Sequence, residues 1–434
     1  NLELNLGPFE QTFREQRQFF TEGVDLFSKG GLFFSRRIGS APVGQIDIAD
    51  DESFNRPNNT KVLNAIKVSG RTKSGLGVGV LNAITEKTKV AITDDNDVIL
   101  RNEVVEPFTN YNVLVIDQQY NGNSSISLIN TNVLREGNFR DANATAIVSN
   151  HQNKRNTYKI DTELRMSHVN FQDEDSENGF SSFFRIGKTH GNFRYSFDHR
   201  YADTKFNIND IGLNLRNNRN EFGADWSYEI FKPTVKLNSY RINGFINYRR
   251  LANPNVFTGF NFGANYFAIA KKSLNAYGFN FRLSPGKQFD YFESRDGRPF
   301  IFENFARIGG FVSTNYNRQF AYDIKANVRA IFEDGRDFTS YSIEFEPRYR
   351  FNDNFLLVYK VEYNKRKGER GYATRENDES VLGERDRRRI TNTVTGNYTF
   401  NTLHTLTLNL RHYWDTVDYD YELFTLLDNG RLTT

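Results

Sequence analysis

The chain has 434 residues, a formal net charge of +3 and a mean hydropathy of -0.64. So slight a positive balance gives nucleic acid no electrostatic footprint, and the absence of cysteine rules out a disulfide scaffold and thiolate metal sites. No stretch approaches the roughly eighteen apolar residues of a spanning helix, but a barrel escapes that test because half of each strand can face a polar interior.

The first sixty residues follow no clean period. Phe9 to Arg37 mixes Phe with charge, then passes Gly39 and Gly44 into the acidic group Asp47, Asp50, Asp51 and Glu52. We expect residues 1–60 to be a plug or linker segment, with 1 to about 55 lying inside a barrel whose own side chains are too short to fill it. Arg14, Arg17, Glu22, Arg36 and Arg37 are then candidates to pair with inward charges of the strands. The alternative is a periplasmic linker from an upstream domain. Asn1 follows no signal sequence, so we expect any export signal to lie upstream or to have been removed.

From residue 61 onward strands and turns repeat without an amphipathic helix between them. Strands are expected at 61–71, 74–86, 109–119, 123–134, 143–150, 156–168, 179–188, 192–201, 220–231, 239–250, 256–270, 274–283, 307–316, 320–331, 340–350, 354–364, 389–399 and 403–414. That makes about eighteen. Many reach about ten residues, near what a tilted strand needs to cross a bilayer. Short links, such as 71–75 and 121–123, tend to alternate with long ones at 87–108, 169–178, 202–219, 284–306 and 365–388. In bacterial barrels the long set is extracellular.

Within the strands the period is two. Phe193, Tyr195, Phe197 and Tyr201 interleave with Arg194, Ser196, Asp198 and Arg200, and Tyr277, Phe279 and Phe281 interleave with Gly278, Asn280 and Arg282. Phe320, Tyr322, Ile324, Ala326 and Val328 alternate with Asp323, Lys325, Asn327 and Arg329. Tyr341, Ile343, Phe345 and Tyr349 alternate with Ser342, Glu344, Glu346, Arg348 and Arg350. Since neighbouring strand residues point to opposite faces, each run carries one apolar and one polar face. The apolar set is rich in Phe and Tyr, as lipid-facing walls with aromatic girdles are. The fold class expected is therefore an all-β, antiparallel, up-and-down transmembrane barrel over residues 61–434. Its lumen-facing residues would include Arg194, Asp198, Arg200, Asp323, Lys325, Arg329, Glu344, Glu346 and Arg348, with Lys360 and Glu362 beside them. Both signs occur, which suits a wet or plugged lumen without selecting one ion sign.

Chemistry-bearing clusters are few. None of the six histidines, His151, His168, His190, His199, His404 and His412, makes a metal pair at helical or hairpin spacing. Asp198 and His199 are neighbours and so face opposite sides. The acidic groups Asp94, Asp95, Asp97 and Asp173, Glu174, Asp175, Glu177 match no twelve-residue calcium loop, and solvated loop charge is the plainer reading. Arg385, Arg387, Arg388 and Arg389 fall at the end of an expected outer loop, set either to touch anionic lipopolysaccharide or to pair with Glu384 and Asp386. We expect no catalytic, cofactor or metal site.

Several stretches carry a family resemblance: Phe9 to Gly23, Leu32 to Gly39, Glu106 to Tyr111, Tyr291-Phe292-Glu293 with Gly297-Arg298, Arg348 to Asp353, and Leu410 to Trp414 with Val417 to Tyr419. In this order they resemble an outer-membrane β-barrel family of unknown function common in Bacteroidota, whose members are often fused to an N-terminal family 9 carbohydrate-binding module. The resemblance implies a fold and a bacterial outer-membrane location, with lipid, lipopolysaccharide and other outer-membrane proteins or glycan as partners. It implies almost nothing about activity. The family pattern continues past residue 434, so the resemblance implies further strands there.

Three roles fit these expectations. The first is uptake or a surface scaffold with a glycan connection. The second is a subunit accessory to a larger outer-membrane complex, and the third is a barrel-embedded hydrolase, which needs an acid and base pair at the lumen or rim.

Overall fold

A computed structural model describes residues 15, 17–49, 51–171, 175–292, 297–302, 304–332, 337–376 and 379–433. The two-residue rhythm is realised as antiparallel strands, each paired mainly with the next in sequence, and among the described residues helix is confined to Gln18–Thr21 and the short turns Lys29–Gly31 and Ser35–Arg37. No helix among the described residues is long and apolar enough to cross a membrane. The chain divides into two units, residues 1–189, 198–221 and 251–255 in the first, and 190–197, 222–250 and 256–434 in the second.

The first unit contains β1 (Glu52–Phe54), β2 (Val62–Arg71), β3 (Leu76–Thr85), β4 (Thr88–Asp94), β5 (Ile99–Glu106), β6 (Thr109–Tyr120), β7 (Ser124–Arg135), β8 (Asp141–Gln152), β9 (Tyr158–Asn170) and β10 (Glu177–Lys188). Strands β2, β3, β6, β7, β8, β9 and β10 form a meander. The expected long link 87–108 is instead a hairpin, β4 and β5, which β1 joins as a third strand. Val90, Ile92 and Val105 give it a core of its own, which is why it holds together apart from the meander.

Both faces of this meander are largely apolar. Leu81, Ala83, Val113, Val115, Ile129, Val133, Ala146 and Val148 are buried on one face, while Val78, Val80, Leu114, Ile116, Ile126, Leu128 and Ile147 are exposed on the other. At one end of the exposed face the apolar side chains give way to a polar row. Asn82, Asn112, Asn132, Asn143, His168 and Asn178 stand directly opposite one another on successive strands. Asn82 donates to Asn112 at 2.8 Å, and Asn143 to Asn132 at 3.3 Å. The row therefore satisfies much of its own hydrogen bonding.

Strands β11 (Phe193–Ala202) and β12 (Arg219–Ile230) are each divided between the units. The second unit contains β13 (Leu237–Arg250), β14 (Phe257–Ala270), β15 (Ala276–Ser284), β16 (Gln288–Asp290), β17 (Phe300–Phe302), β18 (Phe305–Ser313), β19 (Phe320–Ile331), β20 (Thr339–Arg350), β21 (Phe355–Glu376), β22 (Glu379–Asn401) and β23 (His404–Thr425). All but β16 and β17, which pair with each other inside the expected link 284–306, belong to one meander.

The last three strands correct the expected loop at 365–388. They run 22, 23 and 22 residues, and β21 and β22 pair through most of that stretch. At about 3.4 Å per residue each is roughly 75 Å long. The dense charge of this stretch is neutralised between strands: Arg370 reaches Glu384 at 2.7 Å, Arg385 reaches Glu369 at 3.1 Å, and Arg387 and Arg389 share Asp415 at 2.5 and 2.9 Å. Arg385, Arg387, Arg388 and Arg389 are strand residues, not loop residues.

Candidate functional site

The segment from Phe20 to Ile38 lies against the buried face of the first unit's meander. Phe27, Leu32 and Ile38 have no solvent exposure and share one core with Leu81, Val113, Val115, Ile129 and Val148. Gly30 enables the approach: it has φ +68°, and a Cβ there would lie 3.1 Å from Val148 Cγ2 and 3.2 Å from Ala146 Cβ. A bulkier residue would hold the chain off the sheet. Polar ties flank the apolar contact. Lys29 pairs with the fully buried Asp117, which Arg71 and Ser127 also engage. Arg165 donates to the Gly30 carbonyl at 2.8 Å, and the Phe34 amide donates to the Ile211 carbonyl at 2.7 Å.

The charged residues named for this segment are used differently. Arg17 turns back on its own segment, donating to the Ile38 and Ser35 carbonyls at 2.9 Å each and pairing with Glu15. The Glu15 carboxyl is held down to about 2, chiefly by its hydrogen bond from Arg17. Glu22 accepts from Gln18 at 2.7 Å, Arg37 donates to the Gly212 carbonyl at 3.1 Å, and Arg36 is half-buried on the turn Ser35–Arg37. Arg14 lies outside the described residues, as do Asp50, Asp173, Glu174 and Glu293. Lys29, which makes the ion pair to the sheet, carries no motif.

Beside the docked segment the first unit holds a buried ionic cluster. Arg135 donates to Asp210 at 3.0 Å and lies 3.6 Å from Glu106, while Arg140 takes Asp210's other oxygen at 2.6 Å. Glu106 also accepts from the Val43 amide at 2.9 Å and from Thr109 at 3.1 Å. A cavity of about 880 Å³ opens next to it, lined in part by Arg37, Gln45, Tyr111, Phe139, Arg140 and Phe171. Both carboxylates are engaged by guanidinium, so the arrangement positions chain segments and offers no free acid and base pair. Asp198 is engaged likewise, by Arg185 at 3.2 Å and Arg200 at 3.5 Å, whereas His199 bonds Asn220 at 2.8 Å.

In the second unit the polar residues line up as rungs across the strands. Lys325 pairs with Glu344 at 2.7 Å, and Lys360 bridges Glu344 at 3.3 Å and Glu362 at 2.5 Å. Arg348 pairs with Glu346 at 2.5 Å and Asp323 at 3.3 Å, with Tyr316 donating to Asp323. Arg194 donates to the Gly191 carbonyl at 3.1 Å and lies over the Phe231 ring. On the opposite face Phe279, Ile308, Ile324, Val328, Ile343 and Phe345 are exposed.

A family described as a domain of unknown function, DUF5916, matches residues 1–434. The chain belongs to that family. For DUF5916 the match agrees with the resemblance in its coarse form, a family without an assigned activity, and it spans both units and the docked segment alike. No curated protein matches this DUF5916 chain.

Proposed function

We propose that the chain is a bacterial outer-membrane β-barrel in which the meander closes on itself, the exposed apolar faces meet lipid, and residues 15–49 fill part of the lumen as a plug. The observation that carries this reading is the long strands with one face of exposed large apolar side chains. Water-soluble proteins seldom expose contiguous apolar patches beyond a few hundred Å². The polar row from Asn82 to Asn178, His168 included, supports it, since the exposed apolar side chains give way there to groups that require water or headgroups. Charge on the other face of the second unit suits a wet interior. The family resemblance adds the setting, a Bacteroidota outer membrane with lipopolysaccharide and glycan nearby. The role that fits is uptake or surface scaffolding, with the docked segment limiting access.

The test is fractionation of cells exporting the chain. It should sediment with the outer membrane, resist alkaline carbonate extraction and need detergent for purification. Recovery as a monodisperse protein in detergent-free buffer would overturn the reading.

A further inference from the structure

The ion pairs of the second unit leave one rung unbalanced. Arg282 on β15 stands directly opposite Arg307 on β18, and Arg307 directly opposite Arg329 on β19. Like charges placed so in an antiparallel pair repel. Elsewhere on the same face the chain removes the problem with acids, as at Lys325, Glu344, Lys360 and Glu362. Among the described residues none of the three arginines forms an ion pair: Arg307 donates only a 3.3 Å bond to Asn327, and the buried Nε of Arg329 has no hydrogen-bond partner. Aromatic rings hold the guanidiniums in place instead. Arg329 lies 4.1 Å from the Phe305 ring centre and 5.5 Å from that of Phe338, and Arg282 lies 5.9 Å from both Phe245 and Phe305. Such rings orient a cation without neutralising it. Arg282 and Arg307 are exposed, so their donors can be reached.

We propose that Arg282, Arg307 and Arg329 form a binding site for an oxyanion, a solute or chain bearing carboxylate, phosphate or sulfate groups. Neighbouring strands lie about 4.8 Å apart, so the three forks cover roughly 10 Å of wall. That suits one multiply charged group or two adjacent ones, each taken in the planar two-donor geometry that guanidinium gives and ammonium does not. This goes beyond the barrel reading, because the site lies on the polar face and does not depend on what solvent meets the other face.

Calorimetric titration of the full chain in non-ionic detergent at low salt tests it, with inorganic pyrophosphate, trigalacturonate and neutral maltotriose as probes. Binding of pyrophosphate or trigalacturonate, but not maltotriose, is expected, and which of the two binds separates a phosphate source from an acidic glycan. Arg307→Gln should weaken binding about tenfold or more. Arg307→Lys, which keeps the charge and so guards against a folding artefact, should still weaken it several-fold, and Lys232→Gln at an exposed distant position should change nothing. Absence of heat with both anions would overturn the site. So would equal weakening by Lys232→Gln and Arg307→Gln, which would mean diffuse attraction. Neither failure touches the membrane fractionation.

Discussion

Replacing Phe27 by Ala should release the N-terminal segment without melting the sheet beneath it. Phe27 is fully buried, its ring rests where Gly79 leaves room, and it meets Phe33 at 6.3 Å between ring centres. Truncating a buried Phe typically costs about 3–5 kcal/mol, the lost transfer energy plus the cavity left behind. If the segment opens as a unit, its open population rises by about a hundredfold to a few thousandfold, at 1.4 kcal/mol for each factor of ten. Amide hydrogen exchange reads this directly. The Phe34 amide, bonded to Ile211 at 2.7 Å, and the Gly44 amide, bonded to Val105 at 2.8 Å, should lose protection by that factor. Amides of β6 and β7, locked in their ladder, should not change. Equal loss of protection in β6 and β7 would show that segment and sheet unfold together, and the idea of a separable docked element would be wrong.

Gly30→Val should act on the same opening through backbone and contact together: a left-handed φ costs a non-glycine residue about 1–2 kcal/mol, overpacking adds about 1–3 kcal/mol, and faster Phe34 exchange would register it. Arg135→Met should lower the denaturant midpoint by the equivalent of about 3–5 kcal/mol, because Glu106 and Asp210 stay buried without it; Arg140 still reaches Asp210, which favours the lower figure. Glu15 is depressed in the folded chain, so its tie to Arg17 and Ser35 contributes fully above about pH 4.5 and is lost as pH falls through about 2. The protection factor of the Ile38 amide, taken against its intrinsic exchange rate at each pH, should fall over that window in the native chain, and Glu15→Gln should abolish the dependence. Ile343→Arg should destabilise the detergent- or lipid-embedded chain by about 2–4 kcal/mol if hydrocarbon meets that face, against about 0.5 kcal/mol or less if water does; urea unfolding in lipid vesicles separates the two.

Strand positions were legible because period two is a local signal. From Phe320 to Val328 the apolar side chains fall on one face and Asp323 to Arg329 on the other, as the alternation requires. The limits of β21 to β23 were not legible. Residues 365–389 are so charged that a loop is the natural reading, and only pairing between strands, such as Arg387 with Asp415 28 positions away, makes them a sheet. Lys29 was missed for the same reason. Its partner Asp117 is 88 positions distant, and nothing local distinguishes this lysine from its neighbours. The arginine rung needs two registers at once before Arg282, Arg307 and Arg329 can be seen to coincide.

The two units treat one face of their sheets in opposite ways, and the difference follows from what covers each. In the first, Val113, Val115, Ile129 and Val148 would be an exposed apolar surface were residues 15–49 absent, so sheet and segment each require the other for burial. In the second, the corresponding positions of β19 to β21 carry Lys325, Glu344, Lys360 and Glu362, which neutralise one another and need no cover. An apolar sheet face therefore requires a covering segment, whereas a face whose charges balance one another does not. The rung at Arg282, Arg307 and Arg329 fits neither case, since it is polar yet unbalanced. Among the described residues no acid pairs with these three arginines, and the oxyanion proposed above would supply the negative charge they lack.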